Sequence, residues 1–190
     1  MRTYRLAFIV LGFAAAAAFF FAPTPEARAQ VPGAVTQVQR GEYIVTAGFC
    51  HDCHTPAKMG PNGPEPDMTR ALSGHPADMK VAMPKLSADW PVSAIATFTA
   101  WAGAWGVSFT ANLTPDRNTG IGLWTEDMFI KAMREGKHMG TGRPILPPMP
   151  WPWIGKYSDD DLKAIFAYLK SIKPIVNRVP DPMPPAGAKG

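Results

Sequence analysis

Cysteine is almost missing from this chain: Cys50 and Cys53 are the only two in 190 residues. A scaffold held by several disulfides is excluded, and so is a four-cysteine zinc site. Charge is sparse at 18%, with 19 Lys+Arg against 15 Asp+Glu. The basic residues are scattered and carry no recognition motif, so nucleic acid is excluded as the leading partner. Without residues 1–29 the balance falls to 16 against 14, a net +2. Long helical patterns are missing too, because 21 prolines and 17 glycines punctuate the chain. A coiled coil or long-helix bundle is excluded, and short helices joined by ordered loops are expected. After Ala22 no apolar run approaches the length of a membrane-spanning helix. The length suits one domain, with room for an insertion.

The first segment reads as an address. Arg2 and Arg5 precede an apolar run from Leu6 to Ala22, Pro23 ends it, and Ala27-Arg28-Ala29 offers small residues where a signal peptidase reads. This is the pattern of a secretory signal peptide over 1–29, cut after Ala29; a retained membrane anchor is the alternative. Either way Gln30 onward is exported, and a periplasmic location, free or membrane-associated, is expected.

The two cysteines lie in Phe49-Cys50-His51-Asp52-Cys53-His54. In an exported chain this spacing is open to a disulfide, a redox pair, half a zinc site, or haem attachment. His75 and His138 show no paired ligand spacing for zinc. The Pro/Gly-rich chain downstream lacks the β-branched runs of a thioredoxin-like fold. Histidine directly after the second cysteine selects haem: two thiols bond the vinyl groups, and the imidazole of His54 reaches the iron from one side. One motif implies one covalent haem c. His51, inside the motif, is expected to face solvent, and His75 to be a surface or loop histidine.

Three helices are legible. Residues 38–48 lead into the motif, with Tyr43, Ile44 and Ala47 on one face. Thr125 caps a second, with Glu126 and Asp127 in its first turn, Met128, Phe129, Ala132 and Met133 as its apolar face, and Gly136 as its stop. Ser158 caps the last, Asp159–Asp161 complement its dipole, Leu162, Ile165, Phe166, Leu169 and Ile172 form its stripe, and Pro174 ends it. Between the first two, prolines interrupt residues 55–107 repeatedly while Trp90, Phe98, Trp101 and Trp105 argue that the segment packs. Residues 180–190 read as a flexible tail.

A helix before Cys-x-x-Cys-His, a helix before a Pro-rich loop and a terminal helix resemble a class I cytochrome c. Asn112-Leu113-Thr114-Pro115-Asp116, Thr119-Gly120-Ile121-Gly122, Trp124 and Pro148-Met149-Pro150 are similar to the cytochrome c domains of membrane-bound alcohol and gluconate dehydrogenase cytochrome subunits. The resemblance covers about 38–54 and 108–175. It implies a mainly α fold, three core helices around one haem, with a long Pro/Trp-rich loop insertion at about 55–107 in a monohaem domain over 30–179. It also assigns the second axial ligand to the sulfur of Met149, between stiffening prolines. Met83 and His138 are competing ligands; Met128, Met133 and Met139 are expected to pack. Trp124, through its indole N–H, and Arg143 and Asn112 are expected to hold the haem propionates. Pro61 or a neighbour is expected to accept the Nδ1 proton of His54.

The function expected is a non-enzymatic, periplasmic electron carrier of the respiratory chain with His54/Met149 ligation. Its partners would be a dehydrogenase donor and an oxidase or bc-type acceptor. The alternative is a haem subunit fixed in a larger respiratory or dehydrogenase complex, and a third reading is an open-site haem enzyme or gas sensor. Mass spectrometry of the exported protein is expected to find Gln30 at the N-terminus; a mass that still includes residues 1–29 would establish the retained anchor instead.

Overall fold

The computed structural model describes residues 35–185 and Gly187; the expected signal segment lies outside them. Helix α1 (Gln37–Ala47) starts at Thr36, whose hydroxyl accepts from the Gln39 N–H at 3.2 Å while the Gln39 side chain accepts from the Thr36 N–H at 2.9 Å. That reciprocal capping box satisfies two otherwise orphaned donors. Its buried face is Gly41 and Val45, with Tyr43 and Ala47 turned outward, so the expected Tyr43–Ile44–Ala47 face is corrected. The reason is close helix crossing: a Cβ on Gly41 would overlap the carbonyl of Ala164. Contact of backbone with backbone, not a large apolar side chain, sets this face.

Helix α2 (Cys50–His54) carries the cysteine motif, and Phe49 in a left-handed conformation (φ 58°) turns the chain into it from α1. Helix α3 (Glu126–Glu135) is capped by Thr125, which accepts from Met128 N–H at 3.2 Å, and ends at left-handed Gly136. Helix α4 (Trp151–Ile154) is a single turn, and α5 (Asp159–Ser171) is capped by Ser158 at 3.1 Å from Asp161 N–H. Val45 of α1, Leu72, Ile121, Phe129 and Met133 of α3, and Leu162, Phe166 and Leu169 of α5 form the main core. Phe129 and Phe166 pack with ring centroids 5.5 Å apart.

The mainly α fold with a loop insertion is corrected. The described residues hold five α-helices and two antiparallel sheets. Strands β1 (Ala57–Gly60) and β2 (Gly63–Pro66) form a hairpin, with Gly60 opposite Gly63. Strands β3 (Ser93–Ala94), β4 (Ala100–Gly103) and β5 (Gly106–Phe109) form the second sheet, in that order. Part of the segment expected to be loop is therefore sheet. Its glycines and prolines turn hairpins, and its strands of two to four residues are too short for an alternation signal. Pro64 and Pro66 fit β2 because a two-stranded ribbon has a free edge.

The second sheet has its own small core of Ala100, Ala102 and Val107, against which Val81, Met83, Leu86, Ile95, Phe109 and Met183 pack. Val107 and Met183 exchange backbone hydrogen bonds of 2.8 and 2.9 Å, so the described part of the expected tail, 180–185, is tied to β5. Met83, a competing ligand in the sequence, serves this core. No helix of the described residues is long and apolar enough to cross a membrane.

Gly41→Val is expected to destabilise the protein by about 1–3 kcal/mol, because the α1–α5 crossing must open to admit the side chain. Denaturant unfolding of the haem-bearing protein checks this; an unchanged midpoint would show that the crossing relaxes at no cost.

Candidate functional site: a Cys-x-x-Cys-His helix

Cys50 and Cys53 lie one helical turn apart on α2, both half-buried and both free thiols. Burial pushes the Cys50 thiol up to about 11, and it raises Cys53 as well. A redox-active Cys-x-x-Cys needs a lowered thiol pKa. Both shifts run opposite to the one such a pair requires.

His54 is 7% exposed. Its Nδ1 lies 2.8 Å from the carbonyl oxygen of Ala111, which can only accept, so Nδ1 carries the proton. Burial lowers the His54 pKa, the carbonyl opposing that shift and His51 adding to it. The ring is therefore neutral with its lone pair on Nε2, the form in which imidazole binds a metal. Among the described residues Nε2 has no hydrogen-bond partner.

The acceptor is Ala111 rather than Pro61, which corrects the sequence expectation. The geometry behind it is a backbone clasp. Gly74 N–H donates to His54 O at 2.8 Å, His75 N–H to Thr110 O at 3.0 Å, and Leu113 N–H to Leu72 O at 2.9 Å. Residues 72–75 thus run beside 110–113 and bring the Ala111 carbonyl behind the imidazole. Gly74 (φ 76°) permits this, since a Cβ there would strike the backbone of Thr110 and Ala111.

Two histidines are placed differently from expectation. His51 is half-buried, with Nδ1 2.9 Å from the Thr55 hydroxyl, which in turn accepts from Leu72 N–H at 3.0 Å. His75 is fully buried, between the Thr99 hydroxyl at 2.9 Å and the Met79 carbonyl at 3.0 Å, and packs on Phe109. Both serve the fold of the segment behind His54.

Met149 is half-buried, and it packs against the main core together with Cys50, Leu113, Trp124 and Ile145. Its loop is anchored from the second sheet: the Ser108 hydroxyl of β5 donates to Pro147 O at 2.6 Å. Trp124 lies edge-on to His138, centroids 5.0 Å apart and planes 88° apart, while Arg143 is exposed and reaches only Pro144 O, at 3.4 Å. Asn112 does not join this group. It is buried, its amide donates to Ile175 O at 2.8 Å and more weakly to Thr119 and Asn177, and its carbonyl accepts twice from Thr114. That side chain is spent on pinning residues 175–177 to the loop.

Two free thiols on one helical turn, a neutral imidazole with an unpartnered Nε2, and half-buried apolar residues bordering one core fit a covalently attached haem. The residues that sequence reasoning missed act mostly through backbone: Ala111 offers a carbonyl and Gly74 a conformation, neither with a side-chain signature. Ser108 carries a hydroxyl that nothing in its neighbours marks.

The comparisons with known proteins bear out the resemblance to cytochrome c domains. The chain is similar to the cytochrome c subunit of the quinone alcohol dehydrogenase of Gluconobacter oxydans, 29% identical over 149 residues. It is 31% identical over 131 residues to the cytochrome c subunit of gluconate 2-dehydrogenase from Pantoea cypripedii. It is 30% identical over 143 residues to a subunit of the nicotinate dehydrogenase of Pseudomonas putida. These matches take in 76%, 69% and 75% of this chain, but only 24%, 22% and 9% of those proteins. No family model matches the chain.

Asn112→Ala is expected to cost about 1–3 kcal/mol of stability, since it strands buried partners, and to leave the visible absorption bands in place. Thermal unfolding followed beside the optical spectrum checks both halves; shifted bands with unchanged stability would return Asn112 to the haem.

Proposed function

We propose that this chain is a haem electron-transfer subunit of a dehydrogenase complex, exported to the periplasm and not itself the catalyst. Cys50 and Cys53 would hold one haem c covalently, His54 and Met149 would ligate its iron, and Trp124 and Arg143 would offer donors to its carboxylates. The observation that carries the reading is the His54 imidazole, whose tautomer leaves Nε2 free on the same short helix as two unpaired thiols. When bound, the haem iron supplies reversible one-electron chemistry, at a potential raised by thioether ligation and burial.

The chain's own residues do the rest. Ala111 holds the imidazole at one orientation, which raises its basicity as a ligand. Ser108 and the flanking prolines hold the Met149 loop, so the thioether is presented at small entropic cost. The half-buried apolar residues beside them limit access of water to the site.

A subunit is favoured over a free shuttle because the relatives are subunits of dehydrogenases. Exposed Trp90, Trp153 and Phe49, at 77%, 76% and 70%, add apolar surface suited to a partner. Electrons would enter from a dehydrogenase and leave to an oxidase or bc-type complex. With a net charge near zero once propionates are counted, docking depends on local patches.

The purified protein is expected to give a low-spin spectrum with a weak iron–thioether charge-transfer band, and no shift when reduced under carbon monoxide. Met149→Ala is expected to lose the band and to admit carbon monoxide. High-spin iron or ready carbon monoxide binding in the wild type would mark an open-site enzyme or sensor. In size-exclusion of a native extract the chain is expected to co-elute with a larger redox protein; elution alone would leave it a free shuttle.

A further inference from the structure

Residues 136–145 form a tight hairpin between α3 and the Met149 loop. Lys137 bridges Pro144, His138 N–H donates to Arg143 O at 2.9 Å, and Ile145 N–H donates to Gly136 O at 2.7 Å. The hairpin puts His138 and Arg143 side by side, and the edge-on contact at 5.0 Å adds Trp124 from the loop before α3. Three hydrogen-bond donors are thus gathered at the edge of the core that Met149 also borders.

No protein anion answers them. Among the described residues the four ion pairs involve Arg40, Lys58, Lys131 and Arg134, none of them in this group. The imidazole of His138 and the indole of Trp124 make no hydrogen bond there. The charged groups around His138 are Arg143 opposite it, Lys137 before it in the hairpin, and Lys131 of α3, whose stem covers Gly140 and whose amine pairs with Glu135 at 3.9 Å. Two half-buried donors, His138 and Trp124, beside the exposed guanidinium of Arg143 and with no acidic partner among the described residues, make a site for a carboxylate.

We propose that His138 is the third donor of a carboxylate clamp, holding with Trp124 and Arg143 one propionate of the haem carried on Cys50 and Cys53. The inference rests on the haem reading above and assigns His138 a positioning role, not an axial one. Its position next to the cofactor also has an electrical consequence. A protonated imidazole there favours the reduced state, and that preference fades as pH rises and the proton leaves. Burial and the Arg143 guanidinium lower the pH at which this happens, while a bound carboxylate opposes them.

The test is an optical redox titration of the haem-bearing protein between about pH 5 and about pH 8, the range in which histidines titrate. At a fixed applied potential the wild-type ratio of reduced to oxidised protein is expected to fall about three- to tenfold across it. His138→Gln is expected to flatten that dependence while keeping the low-spin spectrum and thioether band; Lys137→Gln is expected to keep it. Arg143→Gln is expected to move the dependence to higher pH, because it removes the repelling charge, and it reads the clamp even where His138→Gln matures poorly. Wild-type pH dependence persisting in His138→Gln overturns the inference, as does a pH-independent wild type. Loss of the low-spin spectrum in His138→Gln also overturns it, by making His138 a ligand. A chain with no covalent haem on a denaturing gel overturns the haem reading itself, a distinct failure.

Discussion

The hydrogen bond from His54 Nδ1 to the carbonyl of Ala111 ties together parts of the chain that are 57 residues apart. It needs the Cys-x-x-Cys-His helix at one end and an unpaired backbone oxygen at the other, and the intervening chain is shaped to supply that oxygen. Gly74 N–H takes the His54 carbonyl, Leu72 and His75 clasp the strand-like run 110–113, and Asn177 reaches across to the carbonyls of Ser73 and His75 at 2.7 and 2.9 Å. A shift in any of these contacts is transmitted to the imidazole, because buried backbone groups have few other partners to exchange for.

The region that interrupts the three recognisable helices is therefore structural support for the site on both sides. Through Ala111 it orients His54, and through Ser108 it holds Pro147 beside Met149. A small second core stabilises it, closed by Met183 from the C-terminal segment. The same region, through β5 and the residues just after it, thus bears on both residues proposed to ligate the iron. This is how a chain with short helices and many prolines builds a rigid site: rigidity comes from loop-to-loop hydrogen bonds, not from long elements.

Electrostatics divides the surface. The ion pairs among the described residues are exposed or half-exposed and contribute little stability. The hairpin at 136–145, by contrast, keeps cationic and donor groups without acidic partners at the edge of the main core. Exposed tryptophans lie elsewhere, in the insertion and at α4. In the proposed role, a tuned interior and an apolar contact surface would be built from different residues.

The Cys-x-x-Cys-His motif, the caps and apolar stripes of α3 and α5, and the Pro-Met-Pro loop were all legible in the sequence, because each depends on side chains a few residues apart. Thr125, Ser158, Gly136 and the spacing Cys50-x-x-Cys53-His54 carry local physics that holds in any surroundings. The second sheet was not legible: Ala100-Trp101-Ala102-Gly103 becomes a strand only because Val107, Ile95 and Met183 bury its alanines. Nor was the buried face of α1, which follows from a backbone crossing at Gly41 and Ala164. The partner of His54 and the employment of Asn112 were decided by tertiary structure alone, since a carbonyl has no residue identity and an asparagine can serve a cofactor or a loop with equal chemistry. Short-range sequence determined which groups the protein carries; long-range packing decided which of them are left free to act.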